Sequence, residues 1–153
     1  MQRVRYQISI DAPADTVWHA LLDDAPYREW TSEFAAGSHY VGAWDEGEKM
    51  HFLAPDDEGR LGAMVARIRE VRPERYLSIE HLGVVQDGVE DTTSEAVAAW
   101  AGNLENYTLT PRGEATEVLV EIDLPPEHAA MFGDSWPRAL LALKRIAEGE
   151  PVR

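Results

Sequence analysis

Two-residue alternation of apolar and polar side chains, strict in the first and interrupted by Leu119 in the second, marks two distant segments of the chain. In residues 4–10 every second side chain is apolar: Val4, Tyr6, Ile8 and Ile10. In residues 116–124 the apolar positions are Val118, Val120, Ile122 and Leu124, and the acidic Glu117, Glu121 and Asp123 lie between them. This period is that of a strand with one face buried and the other in water. Both segments are therefore predicted to be half-buried strands.

The segment that follows the first strand, DAPADTVWHALLD at 11–23, predicts a helix. Pro13 suits a first helical position, and Asp15 lies in the first turn, near the positive end of the helix dipole. Four apolar residues share one face at helical spacing: Val17, Trp18, Leu21 and Leu22. Pro26 is predicted to end this helix, and PYREWT at 26–31 a second short one.

The middle of the chain predicts a succession of strands and turns. The predicted strands cover 37–44, 48–54, 61–71, 75–85 and 105–110. Turn residues separate them, and the polar loop 55–60 holds Asp56, Asp57 and Glu58. Residues 86–100 are acidic and have no clear period, which predicts either a loop at the mouth of a pocket or a short helix over 94–100.

The longest predicted helix is C-terminal and covers 127–150. Its apolar positions recur at three- and four-residue steps: Phe132, Trp136, Leu140, Leu143 and Ala147. Pro137 lacks a backbone N–H, so a kink or a restart is expected near 134–135. Gly149 is a natural stop. Neither an internal repeat nor a linker is visible, and residues 1–153 are interpreted as a single domain.

Composition excludes several classes of function. The net charge is −14, from 28 acidic and 14 basic residues, and such a field repels nucleic acid and anionic membranes. The chain has no cysteine, which excludes disulfides, thiolate metal sites and cysteine nucleophiles. Its histidines have no metal-ligand spacing, so neither a metal nor a cofactor is predicted. The absence of cysteine fits a reducing compartment, and neither a long apolar run nor a secretory signal is visible, so a cytoplasmic location is expected.

Several motifs occur in a recognisable order: DAPADTVWHALL after the first strand, Trp30, GAWDEG at 42–47, and WPRALLALKRIAE near the end. Together they resemble the START-like superfamily known as SRPBCC. The hairpin ENYTLT…ATEVLV and the closing WPRALLALK are most similar to the branch homologous to the activator of heat-shock protein 90 ATPase.

The resemblance implies an α+β helix-grip fold. In this fold two short helices follow the first strand, and a curved antiparallel sheet wraps around a long C-terminal helix. The resemblance also implies an apolar cavity between sheet and helix, which binds or transforms lipids, sterols or polyketides. Trp18 matches a packing position of the family's first helix, so we expect it to hold that helix against the sheet.

Strand alternation and the implied fold together predict the lining of the cavity. The predicted ligand-binding residues are Met50, Phe52, Met64, Ile68, Ile79, His81, Tyr107, Trp136 and Leu140. Small-molecule sites are lined by such apolar side chains, and a few polar groups fix the orientation of the ligand. The alternative is that these residues fill the core and leave no void.

Three of the polar residues are candidates for catalysis. His81 shares a strand face with Leu77 and Ile79, and it enters the cavity if that face is inward. Its imidazole then binds a ligand carbonyl or acts as a general base, whereas a satisfied or rim histidine is the alternative. Glu105 and Tyr107 are two residues apart and share a face, and a buried acid needs a partner. The other histidines considered, His19, His51 and His128, are expected to face solvent.

Three functional hypotheses remain open. The first is a non-catalytic protein that binds a hydrophobic small molecule. The second is an enzyme of the polyketide cyclase or dehydratase type that uses His81, Tyr107 or Glu105. The third is a protein-interaction module, such as a chaperone accessory, with a protein partner or a second copy in a homodimer. An enzyme predicts converging acid–base groups, a carrier predicts an apolar void, and an interaction module predicts an exposed apolar patch.

Overall fold

The two alternating segments pair with each other at one end of the sheet. In the computed structural model, which describes residues 2–55, 58–59, 61–86, 88–125 and 133–149, Tyr6 lies opposite Val120, and Ile8 lies opposite Val118. The strands are β1 Gln2–Ile10, β2 His39–Val41, β3 Lys49–Pro55, β4 Leu61–Arg72, β5 Tyr76–Gln86, β6 Val89–Asp91, β7 Leu104–Arg112 and β8 Ala115–Leu124. The helices are α1 Ala14–Leu22, α2 Asp24–Thr31, α3 Glu95–Ala98 and α4 Ser135–Ala147.

The strands form one curved antiparallel sheet. Its order is β1-β8-β7-β5-β4-β3-β2, and β6 pairs with β5 beside this path. The helices α1, α2 and α4 cover the inner face of the sheet, and α4 contacts α1, α2 and β1. On α4 the buried side chains are Trp136, Ala139, Leu140, Ala142, Leu143 and Ala147. This arrangement confirms the predicted α+β helix-grip fold.

Helices α1 and α2 meet at a corner, and their boundary differs from the predicted one. The first helix ends at Leu22, and the second begins at Asp24. Pro26 therefore lies in the first turn of α2, where a backbone N–H has no helical partner to lose. Trp18 is half-buried and packs against the core, as a packing residue of α1.

Two of the predicted strands and loops need correction. The strand predicted over 37–44 is only three residues long, His39–Val41, since Gly42 has a φ of 130°, which ends the regular backbone. For the segment 86–100 the sequence allowed a loop or a short helix over 94–100, and a short helix forms at Glu95–Ala98. The strand β6 in the same segment was not predicted.

The C-terminal helix begins at Ser135, near the restart that Pro137 predicts. Pro137 lies in the first turn, so the missing N–H costs no helical hydrogen bond. The earlier part of the predicted helix, with His128 and Phe132, lies outside the described residues, as do Asp56 and Asp57. None of the described helices has both the length and the apolar character needed to span a membrane.

Candidate ligand-binding site

An apolar cavity of about 470 Å³ lies between the inner face of the sheet and the helical layer. Aromatic rings form much of its wall: Tyr27, Trp30, Phe34, Trp44, Phe52 and Trp136. The sheet adds Leu77, Ile79 and Ile122. A space of this size with such a lining is typical of a site for a small organic molecule.

Hydrogen bonds to the last turn of α1 hold part of the aromatic wall in place. Trp30 Nε1 donates to the carbonyl of Leu21 at 3.1 Å. Tyr40 Oη and Trp44 Nε1 both donate to the carbonyl of Leu22, at 2.6 and 3.0 Å. The last carbonyls of a helix have no partner within it, so these bonds satisfy them. As a result, the polar ends of these aromatic side chains point at the helix.

Three polar side chains form a connected group on the sheet side of the cavity, and we call His81, Glu105 and Tyr107 the inner triad. His81 Nε2 lies 3.0 Å from Glu105 Oε1, and the hydroxyl of Tyr107 donates to Glu105 Oε2. The pairing of β5 with β7 brings them together, because Ile79 lies opposite Glu105 and Leu77 opposite Tyr107. The side chains of His81 and Glu105 are only 14% and 18% exposed.

The electrostatics of the inner triad favour an ionised carboxylate beside a neutral phenol. Burial raises the pKa of Glu105, but the hydrogen bond and charge of His81, with the Tyr107 hydroxyl, outweigh it and hold that pKa below its usual value. Burial, together with the neighbouring Glu105, raises the pKa of Tyr107 well above its usual value. Tyr107 therefore remains a hydrogen-bond donor, and His81 presents a proton on Nε2 to the carboxylate.

The other ring nitrogen of His81, Nδ1, has no partner in the inner triad. Nδ1 is buried and has no hydrogen-bond partner among the described residues. A buried polar atom without a partner costs about 1–3 kcal/mol, so such an atom requires an explanation such as a ligand, a water molecule or a catalytic role. The neutral ring offers a lone pair at Nδ1, and the imidazolium offers an N–H.

A second chamber of about 440 Å³ adjoins the apolar cavity, which we call the first chamber. Its wall shares four residues with the first chamber: Met64, His81, Glu105 and Ile122. The remaining lining is Val84, Trp100, Asn103, Asp123, Leu124 and Pro125. The inner triad therefore borders both chambers through His81 and Glu105.

A β-bulge in β5 places two of these lining residues on one face. Gly83 pairs with Val65 and His81 with Ala66, which leaves Leu82 as the extra residue. A bulge shifts the alternation by one residue. Val84 therefore faces inward, as His81 does. Bulges often redirect side chains beside functional sites.

Neither chamber presents a basic lysine or arginine side chain among the described residues. The acidic lining residues are Glu105, and in the second chamber Asp123, which pairs with Arg3 at 2.9 Å. No three His, Asp or Glu side chains in the described part of the chain are grouped closely enough to hold a metal ion.

The predicted lining residues divide into two groups. Six of the nine predicted lining residues border the first chamber: Phe52, Met64, Ile79, His81, Tyr107 and Trp136. The catalytic candidate Glu105 borders it as well. Met50, Ile68 and Leu140 are instead buried in the hydrophobic core, at 1%, 0% and 3% exposure, and are not part of either described wall. Strand alternation for Met50 and Ile68, and helical spacing for Leu140, turn these side chains inward, where they belong to the hydrophobic core.

The aromatic residues of α2 and the following segment were missed. Tyr27, Trp30, Phe34 and Trp44 all border the first chamber. The high density of aromatic residues in this part of the sequence could have indicated an aromatic wall, since five of them, including Tyr40, lie in residues 27–44.

The segment 86–100 begins on the outer face of the sheet, opposite the chambers. Glu90 of β6 accepts hydrogen bonds from Lys49 Nζ at 2.9 Å and from His51 Nε2 at 2.8 Å, and we call these three residues the outer triad. Gly83 permits the approach of β6, because a Cβ there would lie 2.0 Å from the carbonyl oxygen of Asp91. The segment then reaches the second chamber through Trp100.

Comparisons with known proteins agree with this geometry. The sequence matches the family described as polyketide cyclase/dehydrase and lipid transport over residues 1–148. The search of curated proteins returns no match.

Solved structures share the fold at low sequence identity. A protein of Mesorhizobium loti is 18% identical, with a TM-score of 0.69 over 99% of this chain and 100% of that one. The Aha1 dimer from Colwellia psychrerythraea is 17% identical, with a TM-score of 0.70 over 97% of each chain. DynU16, from the dynemicin biosynthetic locus, is 22% identical, with a TM-score of 0.67 over 99% of this chain and 49% of that one. The chain, with its helix-grip architecture, therefore belongs to the polyketide cyclase/dehydrase and lipid transport family of the START-like superfamily.

Proposed function

We propose that this protein binds a neutral, hydrophobic small molecule in the cavity between the sheet and the helical layer. The observation that carries the proposal is an apolar space of about 470 Å³, lined by aromatic rings and interrupted on one side by the inner triad. Apolar walls supply affinity by removing ligand surface from water. The triad supplies orientation, because a ligand oxygen that hydrogen-bonds there fixes the position of the rest of the molecule.

The charge of the wall selects against anions. A carboxylate or sulfonate in the cavity would meet the ionised Glu105 and would find no lysine or arginine among the described lining residues. Moving such a charge out of water without a partner is costly. Free fatty acids are therefore poorer ligands than neutral alcohols, esters, ketones or sterols of similar size.

The first test is native mass spectrometry of freshly purified protein, compared with the same sample after denaturation. A small neutral mass that is carried through purification and released on unfolding supports the proposal and begins to identify the ligand.

A second test uses a matched pair of fluorescent probes, neutral N-phenyl-1-naphthylamine and anionic 8-anilino-1-naphthalenesulfonate. The neutral probe is expected to bind at least about tenfold more tightly, a difference of about 1.4 kcal/mol. Ala54 lines the chamber, so Ala54→Trp should abolish binding of the neutral probe, whereas Ala96→Trp at an exposed position of α3 should not. Equal binding to both variants contradicts the proposal.

A second candidate function is an acid–base enzyme of the cyclase or dehydratase type. It is favoured by the unpartnered Nδ1 of His81 on a ring whose Nε2 faces Glu105. A carboxylate that orients a histidine in this way makes the other nitrogen a general base.

The enzyme hypothesis predicts proton exchange in a bound methyl ketone. In D₂O, the base removes a proton from the acetyl carbon of 6-acetyl-2-(dimethylamino)naphthalene, and the enolate takes back a deuteron from solvent. Proton NMR should show faster loss of the acetyl signal with the wild type than with His81→Gln at equal probe occupancy. Identical rates favour the non-catalytic binding protein.

A protein-interaction module has weaker support. The large exposed hydrophobic side chains of the described residues are Val41, Leu61, Val89 and Leu141. They lie on four different elements, whereas an interaction module is expected to present one contiguous apolar patch. The Colwellia protein is described as a dimer, and a homodimer of this chain stays a prediction.

A further inference from the structure

The second chamber changes what kind of ligand the site can hold. With about 470 and 440 Å³, the chambers are similar in size, and they share Met64, His81, Glu105 and Ile122 as wall residues. The polar group therefore lies between two apolar spaces and not at the closed end of one. A ligand that fills both spaces passes the triad part-way along its length.

The second chamber forms where the sheet divides. Strand β7 begins at Leu104, so it pairs with β5 only over 76–80. Beyond that point β5 pairs with β6, and β8 continues to Leu124 beside β1. The two branches enclose the space that Val84 and Leu124 line.

The two chambers differ in chemistry. The first is walled by aromatic rings from α2, α4 and β3, and flat ring systems pack well against such rings. The second takes its apolar wall from Val84, Leu124, Pro125 and Trp100. Met64 borders both chambers, and its unbranched thioether side chain adapts readily to a neighbour of varied shape.

We propose that the ligand is a neutral, elongated molecule that spans both chambers. Its ring system occupies the first chamber, and an apolar chain extends into the second chamber beside Val84. At His81 a ligand carbonyl accepts a hydrogen bond from Nδ1–H of the protonated ring, whereas a ligand hydroxyl donates to Nδ1 of the neutral ring. This inference rests on the proposed function and specifies the shape and polarity of the ligand. It predicts that affinity increases with chain length because the alkyl chain of the ligand fills the second chamber.

The probes for the test are 6-acyl-2-(dimethylamino)naphthalenes, in which a neutral ring system, a carbonyl and an alkyl chain follow one another. Acetyl, butanoyl, hexanoyl and octanoyl members are titrated into the protein and followed by their fluorescence. Burial of each methylene contributes about 0.8 kcal/mol, so the affinity of the wild type should rise by about fourfold for each methylene added. The emission colour of the bound probe reports the polarity at the carbonyl and should stay the same along the series.

Two variants close the second chamber to different extents. Val84→Trp should leave the affinity for the acetyl probe unchanged and remove the dependence on chain length. Val84→Phe, a smaller intrusion, should allow the affinity to rise to butanoyl and then level off. Val41→Trp makes the same substitution at an exposed site that is 60% accessible, and it should retain the full wild-type dependence.

The outcomes separate this inference from the proposed function. Three results together support the two-chamber ligand: Val84→Trp loses the chain-length dependence, Val84→Phe levels off after butanoyl, and Val41→Trp keeps the full dependence. If the acetyl probe binds the wild type but longer chains add nothing, or if Val84→Trp and Val84→Phe keep the wild-type dependence, the inference is overturned and the proposed function survives. If no member binds the wild type, both are overturned.

Discussion

Each face of the sheet carries a glutamate that is bonded to a histidine and to one further donor, and the two groups differ in their surroundings. On the inner face Glu105 lies between His81 and the Tyr107 hydroxyl, and on the outer face Glu90 lies between His51 and Lys49. The histidine and glutamate side chains are 14% and 18% exposed inside but 33% each outside. The outer triad also includes a lysine that is 58% exposed.

This difference in burial assigns different roles to similar groups. Exposed ion pairs contribute little to stability because water screens them and the side chains lose conformational entropy. A buried carboxylate needs its partners, since removing one leaves an uncompensated polar group. We therefore interpret the outer triad as a contact that holds β6 on the sheet, and the inner triad as the polar element of a ligand site.

The largest expected effect comes from removing each carboxylate in turn. Glu105→Ala leaves His81 and Tyr107 buried without their acceptor and should lower the free energy of unfolding by about 3–5 kcal/mol. Glu90→Ala removes a solvated carboxylate and should change stability much less. Urea denaturation of both variants measures the difference, and equal losses would show that burial does not separate the triads.

A smaller effect is expected at Gly83, which determines how closely β6 approaches the sheet. A Cβ there meets the carbonyl oxygen of Asp91 at 2.0 Å, so Gly83→Ala should displace β6 and cost about 1–3 kcal/mol, as overpacking does. Hydrogen exchange should show faster exchange at β6 amides. Gly62→Ala is the control, because its Cβ would have only an ordinary contact at 3.8 Å. Unchanged exchange in Gly83→Ala would contradict the packing of β6.

The pH dependence of stability distinguishes the carboxylates further. The folded pKa of Glu105 lies below its ordinary value of 4.5, so its contribution is complete above that pH and is lost as the pH falls through the folded pKa. Glu105→Gln should therefore flatten the acid limb of the stability curve. The hydrogen bonds from Lys49 and His51 also lower the pKa of Glu90, but solvent screens this group. Urea titrations between pH 3 and 7 should thus show a smaller change for Glu90→Gln; the reverse order would contradict the assignment.

Added salt is expected to have the smallest effect on stability, and it should affect the outer triad more than the inner triad. At 1 M salt the screening length is about 3 Å, so the coupling between Lys49 and Glu90 should fall towards zero in a double-mutant cycle. The coupling between His81 and Glu105 should persist, because the pair is largely shielded from solvent. Similar salt dependence in both cycles would mean that water reaches the inner triad freely.

The sequence pattern predicts which side chains share a face of a strand, but not which residues of neighbouring strands lie opposite each other. Two-residue alternation puts His81 on one face with Leu77 and Ile79, and Glu105 on one face with Tyr107, without deciding which face is inward; in the structure these side chains border the cavity. It does not determine that Ile79 lies opposite Glu105, and that register brings the imidazole to the carboxylate. Met50 and Ile68 show the same limit, because alternation turns them inward without showing whether packed neighbours or free space adjoin them.

Short and irregular features were the least predictable. Strand β6 has three residues, too few to show a period, and it is held by contacts from a distant strand through Glu90. The bulge at Leu82 breaks the alternation that is used to recognise a strand. The second chamber depends on both features, since it forms where β5 leaves β7 and pairs with β6.

The most direct test of the central claim is nitrogen-15 NMR of the histidine side chains, recorded with and without 6-acetyl-2-(dimethylamino)naphthalene. The probe carbonyl is predicted to accept a hydrogen bond from Nδ1–H of the protonated His81 ring beside the ionised Glu105, so the Nδ1 resonance should shift on binding while the ring nitrogens of His51 stay unchanged. If the probe binds and the Nδ1 resonance of His81 does not move, or if His51 responds instead, the inner triad is not the polar element of the site.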